Sequence, residues 1–399
     1  EVWREASLLL FIGILIGLPT TILPPLQNEV FQQPYIIAGV AMGLKGCLNT
    51  VAAPYVGSLA DRTGKREILL LSSLCCVALP YVAVICSAWI ARSAKASLVI
   101  WMYTVSDALF GISSVSMSLC FAAVPRRLCG VERAFTPSFS LCNFGLSSGV
   151  GMGAVLGAAF GFGACGWLGV VTVIVSIVFV SMFKAAVPHA HESDTEVTHS
   201  SSEVQAVTRR ECSGLTMLKG NSILARLATV VFLDFLAEQM LVTLLLLYLN
   251  AQFHVSSLQL GLQLACVGGA ASVSLLLVVP LMQPLLGDLR LMQLGLLANA
   301  VSIGSFAFAT EAWQAFFPPL GCLLSFAVFP TANTLAAAAV TRAEGSAAQG
   351  LIAGARTLAE ALSPVIFGWL FQVSERSAWP GWPFLVAAGC VGAALCVAG

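Results

Sequence analysis

The segment Gly57-Ser58-Leu59-Ala60-Asp61-Arg62-Thr63-Gly64-Lys65-Arg66 decides how the rest of the chain is interpreted, because it joins two long apolar runs through a short charged turn. Gly57 would allow a neighbouring helix to approach closely, and Gly64 can adopt the positive φ of a tight turn. Basic residues at the end of an apolar run are retained on the cytoplasmic side of a membrane. The segment therefore predicts a cytoplasmic turn between two membrane-spanning helices.

The composition extends this prediction to the whole chain. Of 399 residues, 58% are hydrophobic and 10% are charged, whereas a soluble domain is roughly 45–50% apolar and about 25% charged. A membrane-spanning helix needs about 20 apolar residues, so the chain has room for about a dozen. Hydropathy predicts spans near residues 6–26, 36–59, 68–91, 98–124, 136–160, 165–187, 227–249, 258–286, 291–310, 313–340, 348–371 and 382–398.

The predicted spans form two halves of six. Residues 1–187 form the N-terminal half, residues 227–399 form the C-terminal half with a last helix that we expect to be truncated, and the polar segment 188–226 is a linker. The halves also resemble each other, since residues 122–127 after span 4 align with residues 338–343 after span 10. Repeated halves of this kind are typical of transporters whose substrate site lies between them. The predicted fold is all-α and pseudo-symmetric.

The distribution of Lys and Arg predicts the orientation. With both termini inside, fourteen basic residues near span ends face the cytoplasm and three, Arg92, Lys95 and Arg376, face outward. This bias follows the positive-inside rule. We therefore expect cytoplasmic termini and a cytoplasmic linker in a multi-pass membrane protein, while the sequence leaves open which membrane it occupies.

The opening segment resembles the loop signature of the major facilitator superfamily at nearly every position. The resemblance implies that Asp61 closes a cytoplasmic gate by pairing with nearby Arg and with the N-terminal end of span 11, whose dipole favours an anion. Gly57, Arg62, Gly64, Lys65 and Arg66 complete this gate motif. In the second half, the related residues Gly287, Asp288 and Arg290 lack the second Gly and the basic pair, so a matching gate is not expected there.

Further segments resemble a narrower group, the hippocampus-abundant-transcript-like proteins and the related bacterial tetracycline/proton antiporters. These segments are residues 43–46, 53–57, 329–330 and 349–356, followed by Pro364. Two positions depart from the antiporter pattern: Asp107 replaces an expected Arg, and Val150 replaces an expected Pro. Both departures weaken the prediction of antiport without excluding it.

Six ionisable residues fall inside predicted spans, where a charge costs at least a few kcal/mol unless it is paired or hydrated. They are Lys45, Asp107, Asp234, Glu238, Arg356 and Glu360, on spans 2, 4, 7 and 11. In the superfamily fold these spans face the central cavity, whereas spans 3, 6, 9 and 12 lie toward the periphery. The six residues are therefore the candidates for proton coupling.

Their depths suggest a pairing scheme. Lys45 could pair with Asp107, and Asp234 could pair with Arg356, which would leave Glu238 and Glu360 without a cation at their own depth. Two carboxylates held close together in a low dielectric could take up a proton near neutral pH. We therefore expect Glu238 and Glu360 to form the proton site. The alternative is that all six charges only hold helices together.

Uncharged polar residues complete the predicted cavity. Asn49, Gln239, Gln263 and Asn333 could form hydrogen bonds with a solute. The His and Cys residues lack metal-ligand spacing, so neither a metal nor another cofactor is predicted. A formal net charge of zero and the lack of long runs of like charge also exclude nucleic acid as a partner. The expected partners are a small-molecule solute, protons and the lipid bilayer, with a monomeric protein.

The predicted function is secondary active transport of a small organic solute by alternating access, coupled to protons as antiport or symport. Two alternatives keep the fold: a transport-inactive receptor or scaffold, and an uncoupled facilitator of a sugar-like solute. An intramembrane hydrolase would need a nucleophile motif together with a His inside a span, and every His lies outside the predicted spans. The chain is therefore not expected to be an enzyme.

Overall fold

A computed structural model describes residues 34–63, 66–90, 135–159, 167–178, 220–253, 266–316, 318–341, 344–374 and 379–399, with a few single positions between them. Within these ranges the chain is helical, with short turns and no strand. The helices are α1 Pro34–Thr63, α2 Arg66–Ile90, α3 Phe135–Ala159, α4 Trp167–Val178, α5 Ser222–Phe253, α6 Cys266–Leu286, α7 Asp288–Phe306, α8 Cys322–Ala338, α9 Gly345–Ser374 and α10 Trp382–Ala398. They correspond to predicted spans 2, 3 and 5–12, whereas most of spans 1 and 4 and most of the 188–226 linker lie outside the described residues.

Several of these helices are suited to a bilayer. Among the described residues, α6, α7 and α9 are each long and apolar enough to cross a membrane. On α6, Leu277, Leu281 and Leu285 are 56%, 66% and 78% exposed and recur every four residues. Such a continuous exposed leucine stripe is unfavourable in water and is expected of a helix that contacts lipid.

The second half begins earlier than hydropathy predicts. Helix α5 starts at Ser222, five residues before the predicted boundary at 227. The Oδ1 atom of Asn221 accepts hydrogen bonds from the backbone N–H groups of Ile223 and Leu224, at 3.1 and 3.2 Å. This side chain satisfies two N–H groups that have no partner inside the helix. Only three apolar residues separate Ser222 from Arg226, so hydropathy placed the start of the span after this arginine.

Aromatic side chains connect the helices of the core. Around Phe384 on α10, the ring centroids of Tyr248, Phe371 and Phe306 lie at 4.9, 5.3 and 5.5 Å. A second chain of rings joins the two halves, because Phe139 on α3 contacts Phe121 and Phe121 contacts Phe329 on α8. The halves therefore meet through a packed interior.

Candidate functional site

Helices α1 and α9 come from different halves and pack closely together at four glycines. A Cβ atom on Gly350 would lie 2.5 Å from the carbonyl oxygen of Ala53, and one on Gly354 would lie 3.0 Å from that of Thr50. A Cβ atom on Gly57 would overlap the backbone of Ser346, and one on Gly46 would lie 2.8 Å from the carbonyl oxygen of Thr357. We call this contact, formed by Gly46, Gly57, Gly350 and Gly354, the glycine interface.

Asp61 lies at one end of the glycine interface. Its two carboxylate oxygens accept hydrogen bonds from the backbone N–H groups of Ser346 and Ala347, at 3.3 and 2.8 Å. These N–H groups belong to the first turn of α9 and have no partner within that helix. The positive end of the helix dipole adds an attraction of about 0.3–1 kcal/mol for an anion in this position. Asp61 therefore links the two halves at this end of the bundle, which we call the Asp61 end.

The other residues of the gate motif surround this contact. Helix α1 ends at Thr63 and α2 begins at Arg66, so the motif forms the predicted turn between two helices. Arg62 is exposed to solvent. Gly64, Lys65 and the side chain of Arg66 lie outside the described residues.

A second contact joins the halves at the Asp61 end, where the weaker motif of the second half led us to expect none. Gly287, at φ +74°, separates α6 from α7, and Asp288 is the first residue of α7. The hydroxyl of Thr136 on α3 donates a hydrogen bond to Oδ1 of Asp288 and lies 2.8 Å from the hydroxyl of Thr334 on α8. Thr136 and Ser346 are each the second residue of corresponding helices. The two contacts are therefore related by the internal repeat, although the second needs neither the missing Gly nor the basic pair.

A small cavity lies between the halves, deeper in the bundle. Its volume is about 70 Å³. Its polar lining consists of Asn143, Ser147, Asp234, Glu238, Ser325 and Arg356, and its apolar walls include Phe235, Leu275, Phe326 and Phe329. The first two residues belong to the N-terminal half and the others to the C-terminal half. We call this space the central cavity.

Arg356 does not form the predicted salt bridge with Asp234. Its Nε atom instead donates to Oε1 of Glu360, one helical turn further along α9, at 2.7 Å. The guanidinium carbon lies 4.6 Å from the ring centroid of Phe235 and 5.0 Å from that of Phe329. The i, i+4 partner needs no second helix, and the two rings stabilise the cation further. The expectation that Glu360 lacks a cation was therefore wrong.

Asp234 turns toward a different partner. The amide Nδ2 of Asn299 on α7 donates to Oδ1 of Asp234 at 2.7 Å, and both side chains are buried. Glu238 lies one turn further along α5 and lines the central cavity with Asp234 and Arg356. Glu360 belongs to the ion pair with Arg356. The two carboxylates that lie beside this ion pair are therefore Asp234 and Glu238, instead of the predicted Glu238 and Glu360.

The remaining predicted residues are distributed along the same helices. Lys45 on α1 and Gln239 on α5 are half-buried, and Asn49 on α1 is buried. Asn333 is buried on α8, where its amide donates to the carbonyl oxygen of Phe329 at 2.8 Å. Asp107 and Gln263 lie outside the described residues, so the predicted Lys45–Asp107 pair stays a prediction.

Sequence reasoning noted Asn143 as a polar residue of a cavity-facing span but missed the polar stripe on α3 to which it belongs. Thr136, Ser140, Asn143 and Ser147 follow one another at intervals of four, three and four residues, which places them on one helix face. Thr136 contacts Asp288, the hydroxyl of Ser140 donates to the carbonyl oxygen of Leu275, and the other two line the central cavity. The spacing was visible in the sequence and would have predicted this face. Asn299 was missed because span 9 was expected to be peripheral.

A bundle in two related halves, with a polar cavity between them and charged contacts at one end, defines a membrane transporter of the two-domain type. Residues 227–398 match the family model of the Major Facilitator Superfamily. The matched region is the C-terminal half of the chain, which therefore resembles this superfamily. Together with the long apolar helices, this match indicates a multi-pass membrane protein of the transporter class and not an enzyme.

Individual relatives agree with this assignment. Hippocampus abundant transcript-like protein 1 of Bos taurus is 25% identical over 364 residues, which cover 90% of this chain and 68% of the relative. The class E tetracycline resistance protein of Escherichia coli is 23% identical over 389 residues, covering 96% and 90% of the two chains. The crystal structure of the human organic anion transporter MFSD10 (TETRAN) superposes with a TM-score of 0.79 and 18% identity, over 100% of both chains. At that identity the superposition establishes the fold.

Proposed function

We propose that this protein is a proton-coupled secondary transporter of a small organic solute that works by alternating access. The observation that carries the proposal is the central cavity, in which Asp234 and Glu238 lie beside the Arg356–Glu360 pair and between two helical halves. Charged groups in the membrane interior are costly and mark ion or substrate pathways. A scaffold that does not transport would gain nothing from such a group of charges.

In this proposal the Asp61 end is the cytoplasmic gate, in its closed state. Asp61 with the first turn of α9, and Asp288 with Thr136, hold the halves together at that end. Both contacts are hydrogen bonds that water can replace when the halves separate. The glycine interface brings α1 and α9 into close contact, so that these helices block the path between the central cavity and the cytoplasm. Opening toward the cytoplasm would break both contacts and separate the two helices.

The proposed proton site is Glu238 together with Asp234. The two residues are four positions apart on α5, so their side chains share a face of that helix. Two carboxylates close together in a poorly solvated cavity cannot both stay ionised at low cost, so they bind and release protons as a coupled pair. The hydrogen bond from Asn299 holds Asp234 in place, and this leaves Glu238 as the member that faces the solute path.

Helix α9 provides the proposed link between proton binding and gating. Gly350, Gly354 and Thr357 face α1, whereas Arg356 contacts the rings of Phe235 and Phe329 on α5 and α8. Glu238 shares the central cavity with Arg356, so its charge acts directly on the position of that guanidinium. A proton on Glu238 would weaken this attraction and free α9 to move away from α1.

An organic anion is a candidate solute. The human structural relative transports organic anions, as its name states, and Arg356 brings a guanidinium into the central cavity. A guanidinium binds a carboxylate through two parallel hydrogen bonds, so the solute would compete with Glu360 for this partner. The proposal for the solute class therefore depends on Arg356, whereas the proposal for proton coupling depends on Glu238.

The test is transport by the purified protein in proteoliposomes with an imposed pH gradient, with a panel of organic anions, organic cations and sugars. We expect accumulation of at least one solute in the wild type. Glu238→Gln should abolish gradient-driven accumulation and retain solute exchange at equal pH. Glu311→Gln is the matched control, because Glu311 is exposed and lies far along the chain from the cavity helices α5 and α9.

The outcomes separate the candidate functions. Accumulation by Glu238→Gln with unchanged pH dependence would exclude Glu238 as the coupling group. Equilibration of a solute without response to the gradient, in the wild type, would indicate a facilitator. Failure to move any solute in either direction would favour the receptor or scaffold.

A further inference from the structure

Helix α6 changes its hydrogen-bond register in the middle. Its two ends are α-helical, but Ser274–Val278 is a π-helical turn, in which the backbone N–H of Val279 donates to the carbonyl oxygen of Ser274, five residues earlier. Such turns inside α-helices are rare and often occur at functional sites. Leu275, within this turn, lines the central cavity. We call Ser274–Val278 the π segment.

One carbonyl group of the π segment takes its donor from the other half of the protein. In the same register the carbonyl oxygen of Leu275 would accept from residue 280, but Pro280 has no N–H group. The hydroxyl of Ser140 on α3 donates to this oxygen. The hydroxyl of Ser274 is fully buried and has no hydrogen-bond partner in the described part of the chain. The π segment therefore depends on a bond that exists only while α3 and α6 are in contact.

The two parts of α6 on either side of the π segment are packed differently. After it, Val279 is fully buried in a cluster with Leu291 of α7, which fixes this part of α6 to the C-terminal half. Before it lies the part Cys266–Val273, which we call the first arm. A Cβ atom added at Gly268 or Gly269 in this arm would meet no described atom within 4 Å. The first arm therefore has room to move, whereas the second part of α6 does not.

We propose that the π segment is a hinge in α6, which Ser140 locks while the Asp61 end is closed and which lets the first arm bend over the central cavity when the lock opens. Thr136 and Ser140 lie four residues apart on α3 and contact Asp288 and Leu275, so α3 holds α6 at two points. Separation of the halves at the Asp61 end would break both bonds. A helix bends most readily where its hydrogen-bond ladder is interrupted, as it is at the Leu275 carbonyl.

The hinge would couple the two sides of the cavity. The first arm lies on the side of the π segment that is away from Asp288, and so away from the Asp61 end. Its bending would narrow the path on that side as the Asp61 end opens. This inference rests on the alternating access of the proposed function, and it is independent of proton coupling and of the identity of the solute.

The corresponding contact between α1 and α9 is built in another way. These two helices meet at the glycine interface, and both are α-helical along their whole length. They can separate without a change inside either helix. The bending is therefore assigned to α6 alone among these contact helices.

The test is distance measurement by electron paramagnetic resonance on the full-length protein in lipid nanodiscs, without solute or pH gradient. One spin-label pair joins the native Cys266 in the first arm to Val386→Cys on α10, in a background without other cysteines. The control pair joins Leu285→Cys, beyond the π segment, to the same position on α10. All three labelled positions are exposed and lie in the C-terminal half, so rigid-body motion of the halves changes neither distance.

Ser140→Ala should release the hinge. The first arm is about 12 Å long at 1.5 Å per residue, so a bend of about 20° would move its end by about 4 Å. We expect a shift of this size in the Cys266 pair and an unchanged Leu285 pair. Ser138→Ala is the matched control, because Ser138 is similarly buried but lies on the opposite face of α3.

A second variant tests the hinge itself. Pro280→Ala restores an N–H group that can donate to Leu275, so it should suppress the shift in the double variant with Ser140→Ala. If Ser140→Ala does not fold, Asp61→Asn should produce the same shift by opening the Asp61 end, and Pro280→Ala should suppress that shift too.

Several outcomes would overturn the proposal: no shift in the Cys266 pair, equal shifts in both pairs, an equal response to Ser138→Ala, or a full response in the Pro280→Ala background. These results are separate from the transport test. A protein that moves no solute can still show the hinge, and a rigid α6 would leave proton-coupled transport to be decided in proteoliposomes.

Discussion

Asn299 on α7 donates a hydrogen bond of 2.7 Å to Asp234 on α5, and both residues belong to the C-terminal half. The bond therefore does not cross between the halves and can persist while they move relative to each other. It anchors one carboxylate of the central cavity to helix α7. Asp234 is consequently a fixed point next to Glu238.

The first prediction concerns this bond. Asn299→Ala would leave the buried Asp234 carboxylate without its donor, and an orphaned buried acceptor costs about 1–3 kcal/mol. We expect a lower midpoint of thermal unfolding in detergent. Adding Asp234→Asn should restore part of the loss, because the two sites interact directly. Gln372→Ala, at an exposed position of α9, is the control and should leave the midpoint unchanged. Strictly additive effects of Asn299→Ala and Asp234→Asn would contradict the bond.

The second prediction concerns the two contacts at the Asp61 end. Asp61→Asn removes the charge that faces the first turn of α9, and Asp288→Asn weakens the acceptor of Thr136. Each variant should shift the protein toward the state open at this end and slow solute cycling, without unfolding it. Spin labels on α1 and α9 should report a longer distance by electron paramagnetic resonance, and the double variant should show the largest shift.

Glu344→Gln is the matched control for these variants. Glu344 lies just before α9, but its carboxylate accepts hydrogen bonds from Thr341 within the same loop, at 2.9 and 3.4 Å. The substitution Glu344→Gln removes a similar charge at the same end and leaves the contacts between the halves intact. A distance change equal to that of Asp61→Asn would show that general electrostatics, and not the contact between α1 and α9, controls the gate.

The third prediction concerns the glycine interface. Gly350→Ala places a Cβ atom 2.5 Å from the carbonyl oxygen of Ala53, so the helices must separate. We expect a loss of about 1–3 kcal/mol in stability, the usual cost of overpacking, and faster labelling of cysteines placed behind the interface. Gly392→Ala on α10 meets nothing within 4 Å and should be neutral or slightly stabilising. Similar effects of the two alanine variants would mean that the close approach does not matter.

The fourth prediction concerns orientation. Thr63 follows Arg62 at the Asp61 end, and Thr310 lies beyond the opposite end of α7; both are exposed. In a cysteine-free background, Thr310→Cys should react with an impermeant maleimide on the non-cytoplasmic side. Thr63→Cys should react only from the cytoplasmic side. The reverse pattern would invert the proposed topology.

The amount of structure that could be predicted differs between the gate and the cavity. The contact of Asp61 with the start of α9 was implied by the resemblance of the loop motif to a family signature, and it agrees with the general affinity of helix N-termini for anions. The partners of Arg356 could not be derived in the same way. Depth along a span says nothing about rotation around its axis, so Asp234 and Glu360 were both possible. The i, i+4 partner on the same helix prevailed, and Asp234 turned to an asparagine whose span was expected to be peripheral.

The contact between Asp288 and Thr136 gives a related lesson. The motif of the second half lacks the second Gly and the basic pair, yet the internal repeat places an acidic residue opposite the first turn of α3. The structural symmetry of the two halves is therefore present even where the sequence motif is incomplete. A comparison of helix starts between the two halves would have found the pair.

The two faces of α9 restrict which substitutions the helix can accept. On the side of α1, the limit is volume, because Gly350 and Gly354 leave no room for a Cβ atom. On the side of Phe235 and Phe329, the limit is charge and shape, because only arginine combines a fixed charge with a flat surface that stacks on two rings. In a library of α9 variants, positions that face α1 should therefore reject bulky replacements, and the position that faces the two rings should reject replacements that alter its charge. The exposed positions Val365, Trp369 and Val373 should accept most apolar side chains.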